Sequence, residues 1–227
     1  MKLSLIRLSV FLFFCSSIIF ISCSKSSTGS TGTGNSTPTL LPMAINNSWN
    51  YKIKIYDTTT EVSLDSSYEP LSITGETSAN GINYFQFQLG GINVFQLGYT
   101  NNSTISAIDT SSGTNYYTFF VSGTGDSTQS VSSWPVTVSK NGSTCEGTDN
   151  LYAHYADTTL INLDGLVYTS SQKNVVVSHD CSGNKTQAHV YFIKDGIGIV
   201  RVSDYYYNPA GKLKLYDALV LESQTLH

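Results

Sequence analysis

From Ser48 onward, short stretches alternate apolar and polar side chains and stop at turn-forming residues, and this pattern of period two leaves little room for anything but strands. In Ser48 to Asp57, Trp49, Tyr51, Ile53 and Ile55 alternate with Asn50, Lys52, Lys54 and Tyr56, as in a strand with one buried face. Asn80-Gly81 predicts a two-residue hairpin turn, because both residues tolerate positive φ. Beyond it, Ile82 to Leu89 places Phe85, Phe87 and Leu89 on one face. After Gly90-Gly91, Ile92 to Tyr99 does the same with Phe95, Leu97 and Tyr99. Further strands are expected at Thr104 to Ile108, Asn115 to Val121, Asn174 to Cys181, Thr186 to Ile193, Ile197 to Tyr206 and Lys212 to Glu222. Their separators are Ser111-Ser112-Gly113, Ser182-Gly183-Asn184, Asp195-Gly196 and Asn208-Pro209-Ala210-Gly211, all turn formers. Short connections predict consecutive antiparallel pairing. His154 to Gly165 is the one stretch with room for a short helix. The expected fold is all-β, an antiparallel meander forming a strongly curved sheet, an open barrel or a sandwich.

The first residues follow another logic. Lys2 and Arg7 precede an apolar run from Leu8 to Ile21, the layout of a secretory signal. A membrane span needs about 20 predominantly apolar residues, whereas Ser16, Ser17 and Ser22 interrupt this run. The run ends Phe20-Ile21-Ser22-Cys23, which resembles the lipobox of bacterial lipoproteins. That resemblance implies cleavage after residue 22 and lipid on Cys23, with acyl chains enough for stable membrane anchoring. Residues 23–41 then read as a Ser/Thr/Gly tether, and residues 42–227 as a single β domain. Ser24-Lys25-Ser26-Ser27 carries no acidic residue, which favours an outer-membrane anchor on the periplasmic side.

Removing residues 1–22 takes away Lys2 and Arg7, leaving 10 basic against 16 acidic residues and a formal net charge of −6. Such a surface offers no electrostatic footprint for nucleic acid, so the membrane partner is met through the lipid alone. Cys145 and Cys181 remain, in an oxidising compartment, and are expected to form a disulfide closing 36 residues of chain. Two separate thiols, or a metal pair with His179, are the alternatives, and the metal reading lacks the four ligands at recognisable spacing that such a site needs. The four histidines show no metal-binding spacing, so neither a metal nor another cofactor is expected. Gly125-Asp126-Ser127 resembles the nucleophile block of GDSL esterases, but no Asp-x-x-His follows it. A non-catalytic protein is therefore expected.

Two segments carry a wider resemblance. Leu41-Pro42 through Asn47-Ser48-Trp49-Asn50-Tyr51, and Tyr191 through Gly196-Ile197-Gly198-Ile199-Val200, are similar to the opening and closing strands of uncharacterised bacterial envelope lipoproteins, in which Gly usually stands at the place of Asn47. The resemblance implies a LolA-like curved sheet whose concave side holds an acyl chain. On the residues alone, Gly196 suits a positive-φ turn and Gly198 leaves space for an approaching ring or backbone. Aromatic side chains are the least ordinary feature of the composition, and Trp49, Phe85, Phe87, Phe95, Trp134 and Tyr206 are the candidates for contact with a ligand. Two functions compete: a binding or structural module for glycan or peptide, and a carrier or sensor of lipid acyl chains.

Overall fold

The computed structural model describes residues 40–57, 59–60, 62–109, 115–122, 129–140, 143–163 and 166–227. The leader, Cys23, the tether as far as residue 39, the Gly125-Asp126-Ser127 block and the turn Ser111-Ser112-Gly113 lie outside them.

The described residues form twelve strands and no helix. The first meander comprises β1 (Ser48–Tyr56), β2 (Ser63–Ala79), β3 (Ile82–Leu89), β4 (Ile92–Asn101), β5 (Thr104–Asp109) and β6 (Asn115–Val121). The second comprises β7 (Ser132–Lys140), β8 (Ser143–Leu163), β9 (Leu166–His179), β10 (Lys185–Lys194), β11 (Gly198–Tyr207) and β12 (Leu213–Thr225). Antiparallel pairing of β1 with β12, with Tyr51 opposite Leu221 and Ile53 opposite Leu219, joins the two. A single sheet results, in the order β6-β5-β4-β3-β2-β1-β12-β11-β10-β9-β8-β7, curled into a nearly closed barrel.

The all-β expectation holds, with three corrections. The described part of His154 to Gly165 is strand, not helix: β8 runs to Leu163 and pairs with β9 from Thr148–His179 to Leu163–Leu166. Consecutive pairing fails between β6 and β7, which are the two edges of the sheet. Strands β2 and β7 and most of β8 are additions to the expected set, although in β7 the half-buried Trp134, Val136 and Val138 alternate with the exposed Ser133, Pro135, Thr137 and Ser139. In β2 most side chains from Ser63 to Glu69 are exposed, so backbone hydrogen bonds to β1, rather than a buried face, define that stretch.

The seam between β6 and β7 is bridged by side chains. The Tyr117 and Trp134 rings stack across it at 4.6 Å. Asn174 of β9 receives the Val121 N–H on its carboxamide oxygen at 3.1 Å and donates its Nδ2 to the Val121 carbonyl at 3.3 Å. A buried side-chain amide thus pairs with the strand edge as a neighbouring peptide group would. Pro135 lies in β7, where an edge position tolerates the missing N–H.

The two segments that carry the family resemblance meet at one end of the barrel. Trp49 Nε1 donates to the Ile197 carbonyl at 2.6 Å, and the Tyr51 hydroxyl to the Ile199 carbonyl at 2.6 Å. Gly198 has φ 105°, and a Cβ there would stand 3.3 Å from Trp49 Nε1, so the ring lies where a larger residue would push it away. Leu40 and Leu41, which the sequence reading assigns to the tether, are 2% exposed and belong to the core. The Leu41 N–H donates to the Tyr99 hydroxyl at 2.7 Å, which in turn donates to the Leu41 carbonyl at 3.0 Å. The N-terminal segment therefore plugs this end, each buried leucine contributing about 1.5–3 kcal/mol.

Candidate functional site

The six candidate aromatics do not gather into a binding surface. Trp49 and Phe87 are buried core residues whose rings stack at 6.1 Å. Phe85, Phe95 and Trp134 are half-buried against the same core. Tyr206 is half-buried on β11, opposite Gln187 and Lys214. The space lined by Leu41, Trp49, Tyr51, Phe87, Phe95 and Ile199 amounts to about 10 Å³, close to what a single water needs. Pockets for small molecules run to roughly 300–1,000 Å³, so this part of the interior has no room for an acyl chain. The cysteine expectation stands: Cys145 and Cys181 form a disulfide with Cα atoms 6.0 Å apart, tying β8 to the turn after β9.

A polar cluster interrupts the apolar interior on β8, β10, β11 and β12. The Asp204 carboxylate accepts from His189 Nδ1 at 2.7 Å, and Asp204 lies directly opposite both His189 and Asp217 in the ladders. Burial, then the charge of Asp204 and a hydrogen bond to it, push the Asp217 carboxyl up to about 9. Burial also raises Asp149, against hydrogen bonds from Ser178 and Trp134 and the nearby His189 and His179. At His189, burial alone would favour the neutral ring, but the hydrogen bond and charge of Asp204, with Asp149 beyond, outweigh it and raise the pKa. The arrangement holds protons within a low-dielectric wall. Among the described residues no three His, Cys, Asp or Glu side chains are placed to hold a metal ion.

The opposite face of β2 to β6 carries a different site. Here the chain forms a groove of about 540 Å³, whose walls include Glu76 and Thr77 of β2, Gln86 and Gln88 of β3, Gln96 of β4 and Tyr116 of β6. Gln86 and Gln96 are a directly opposed cross-strand pair, and Thr77 faces Tyr84 in the same way. Tyr84 also lines the groove, although it is only 1% exposed. It can lie flat because the neighbouring strand carries Gly98, where a Cβ would stand 3.1 Å from the Tyr84 ring and 2.5 Å from the Asn83 carbonyl oxygen. The Tyr116 ring lies 6.0 Å away, tilted 44°, and stays 40% exposed. Burial, followed by the proximity of Tyr116, raises the Tyr84 hydroxyl above its ordinary pKa. Gln88 Nε2 donates to Asn93 Oδ1 at 2.8 Å, which fixes one carboxamide at the rim.

No family model and no curated protein matches the chain. Among solved structures, a chain from Parabacteroides distasonis named as a lipoprotein superposes with a TM-score of 0.49 at 11% identity, covering 84% of this chain and 100% of that one. A chain from Bacteroides fragilis, named as an exported protein with a YmcC-like fold, superposes with a TM-score of 0.47 at 11% identity, covering 83% of this chain and 100% of its own.

The groove was not visible to a reading that looked for apolar alternation. Its signal lies in the other half of the same pattern: between Tyr84 and Leu89 the polar positions are Gln86 and Gln88, and in β4 Gln96 stands opposite. Carboxamides, rather than the Lys and Glu of an ordinary solvated face, mark these positions.

Proposed function

We propose that this chain is a lipid-anchored envelope protein whose β domain is a non-catalytic binding module, presenting the outer groove of β2 to β6 to its ligand. The observation that carries the binding reading is the contrast between an apolar interior space of about 10 Å³ and an outer groove of about 540 Å³ lined by hydroxyls and carboxamides. The competing reading, an acyl carrier with a LolA-like curved sheet, needs the reverse arrangement. Anchoring rests on the sequence: Lys2, Arg7, the apolar run and the lipobox at Cys23. A Ser/Thr/Gly segment of this length spans roughly 20–25 Å, enough to hold the barrel clear of the periplasmic surface of the outer membrane.

Growth with labelled palmitate, followed by fractionation, tests the anchor. The wild type is expected to carry label in the outer membrane, and Cys23→Ala to lose both label and membrane association. An unlabelled wild type, or a labelled Cys23→Ala chain, would contradict it.

A further inference from the structure

The chemistry of the groove narrows its ligand, given the binding-module reading on which this step rests. Gln86, Gln88 and Gln96 each offer both a donor and an acceptor, Tyr84 and Tyr116 offer hydroxyls beside aromatic faces, and Glu76 is the one charged residue among the described lining residues. Among the described residues no Lys, Arg or His lines the groove, so none of them neutralises a phosphate, sulfate or carboxylate ligand. The floor is built from β3, paired with β2 and with β4, and from the Thr74 to Ala79 part of β2, which pairs with β3 beyond the point where the β1 ladder ends at Ser72. The β3 backbone groups at the centre of the floor are engaged in ladders on both sides and cannot add a peptide strand edge-on. Hydroxyl-rich neutral molecules fit what remains. Each sugar hydroxyl is donor and acceptor at once, as a carboxamide is. The Glu76 carboxylate can accept from two adjacent hydroxyls, and the apolar face of a pyranose ring can lie on Tyr116.

We propose that this groove binds a neutral oligosaccharide, with Tyr116 as the stacking platform and Gln86, Gln88, Gln96 and Glu76 reading its hydroxyls. Gly98 has a place in the design: it lets Tyr84 lie flat as the floor against which Tyr116 is set.

The full chain, purified from membranes in a detergent without a sugar headgroup, is applied to an array of glucose and N-acetylglucosamine oligomers, uronic-acid oligomers and anionic phospholipid vesicles. The expected result is binding to neutral oligomers, weakened about tenfold or more by Tyr116→Ala and largely retained by Tyr116→Phe. Tyr116 is exposed enough for both variants to fold, which circular dichroism checks. Binding only to uronic acids or vesicles, no binding at all, or neutral binding indifferent to Tyr116→Ala would overturn the proposal. A photo-crosslinking amino acid in place of Gln88, irradiated in the intact envelope, separates this failure from that of the parent reading. A protein adduct without neutral-glycan binding removes the glycan and leaves the binding module standing. The absence of any adduct, together with a silent array, removes both.

Discussion

Asn47 ties three parts of the chain together with one carboxamide. Its Nδ2 donates to the Pro42 carbonyl at 2.7 Å, its Oδ1 accepts the His227 N–H at 2.7 Å, and its own carbonyl accepts the Ile73 N–H at 2.9 Å. The residue has no exposed surface. Asn47→Ala leaves the Pro42 carbonyl and the His227 N–H without these partners, which costs about 1–3 kcal/mol. At about 2–4 °C per kcal/mol for a domain of this size, the Tm is expected to fall by several degrees in a thermal melt, and a change under 1 °C would refute this role. The sequence marks the place but not the reason. Asn47 stands where the resembling strands have Gly, yet the positive φ of 75° belongs to Asn46. Asn47 itself is retained for hydrogen bonds to segments 5 and 180 residues away, which no local pattern reveals. By contrast, Asn80, Gly81 and Gly196 take the positive φ their turns require, because that requirement is local.

At the scale of elements, legibility follows how a strand is stabilised. Strand β3 runs as the alternation predicts, since one face is apolar and the pleat carries that face to the core; β6 keeps its expected bounds, but a bulge at Phe119 sends both Phe119 and Phe120 into the core. Strand β2 takes most of its definition from its ladders, with β1 up to Ser72 and with β3 from Leu71 onward, and Ser, Thr and Glu side chains leave no trace of those ladders in the sequence. The seam between β6 and β7 was equally hidden, because its closure depends on Asn174 reaching Val121 over 53 residues. Asn174→Leu is expected to free the Val121 amide and accelerate its hydrogen exchange at least tenfold, while the β3 amides keep their protection. Equal rates in variant and wild type would show that the seam closes by other means. The disulfide acts on a similar scale. Closing 36 residues, it stabilises by about 3 to 4 kcal/mol through the unfolded chain, so paired Cys145→Ser and Cys181→Ser changes should lower the denaturant midpoint without altering the fold seen by circular dichroism.

For the whole molecule, the inward proton cluster sets the response to pH. Asp217, Asp149 and His189 all have pKa values raised in the folded state, so this cluster binds more protons in the folded chain than in the unfolded one, against the smaller set of His154 and Asp57, which are lowered. The stability contributed by Asp217 is fully present below its unfolded value near 3.8 and is lost progressively as pH rises toward about 9. His189 adds a loss of the same sign above 6.5. The domain is therefore expected to melt on the order of 5 °C lower at pH 9 than at pH 5, and Asp217→Asn, which keeps a donor toward Asp204, should flatten that slope. A Tm that rises from pH 5 to pH 9 would contradict the assignment.

A binding module of this kind requires a barrel that is filled inside and receptive outside. Its most direct test is to release the full chain from native envelopes in a detergent without a sugar headgroup, extract it with organic solvent, and weigh the non-covalent extract by mass spectrometry. We expect no acyl lipid at stoichiometric amount apart from the covalent chains on Cys23. One free acyl lipid per chain would mean that the interior opens to hold it, and would replace the binding module with a carrier.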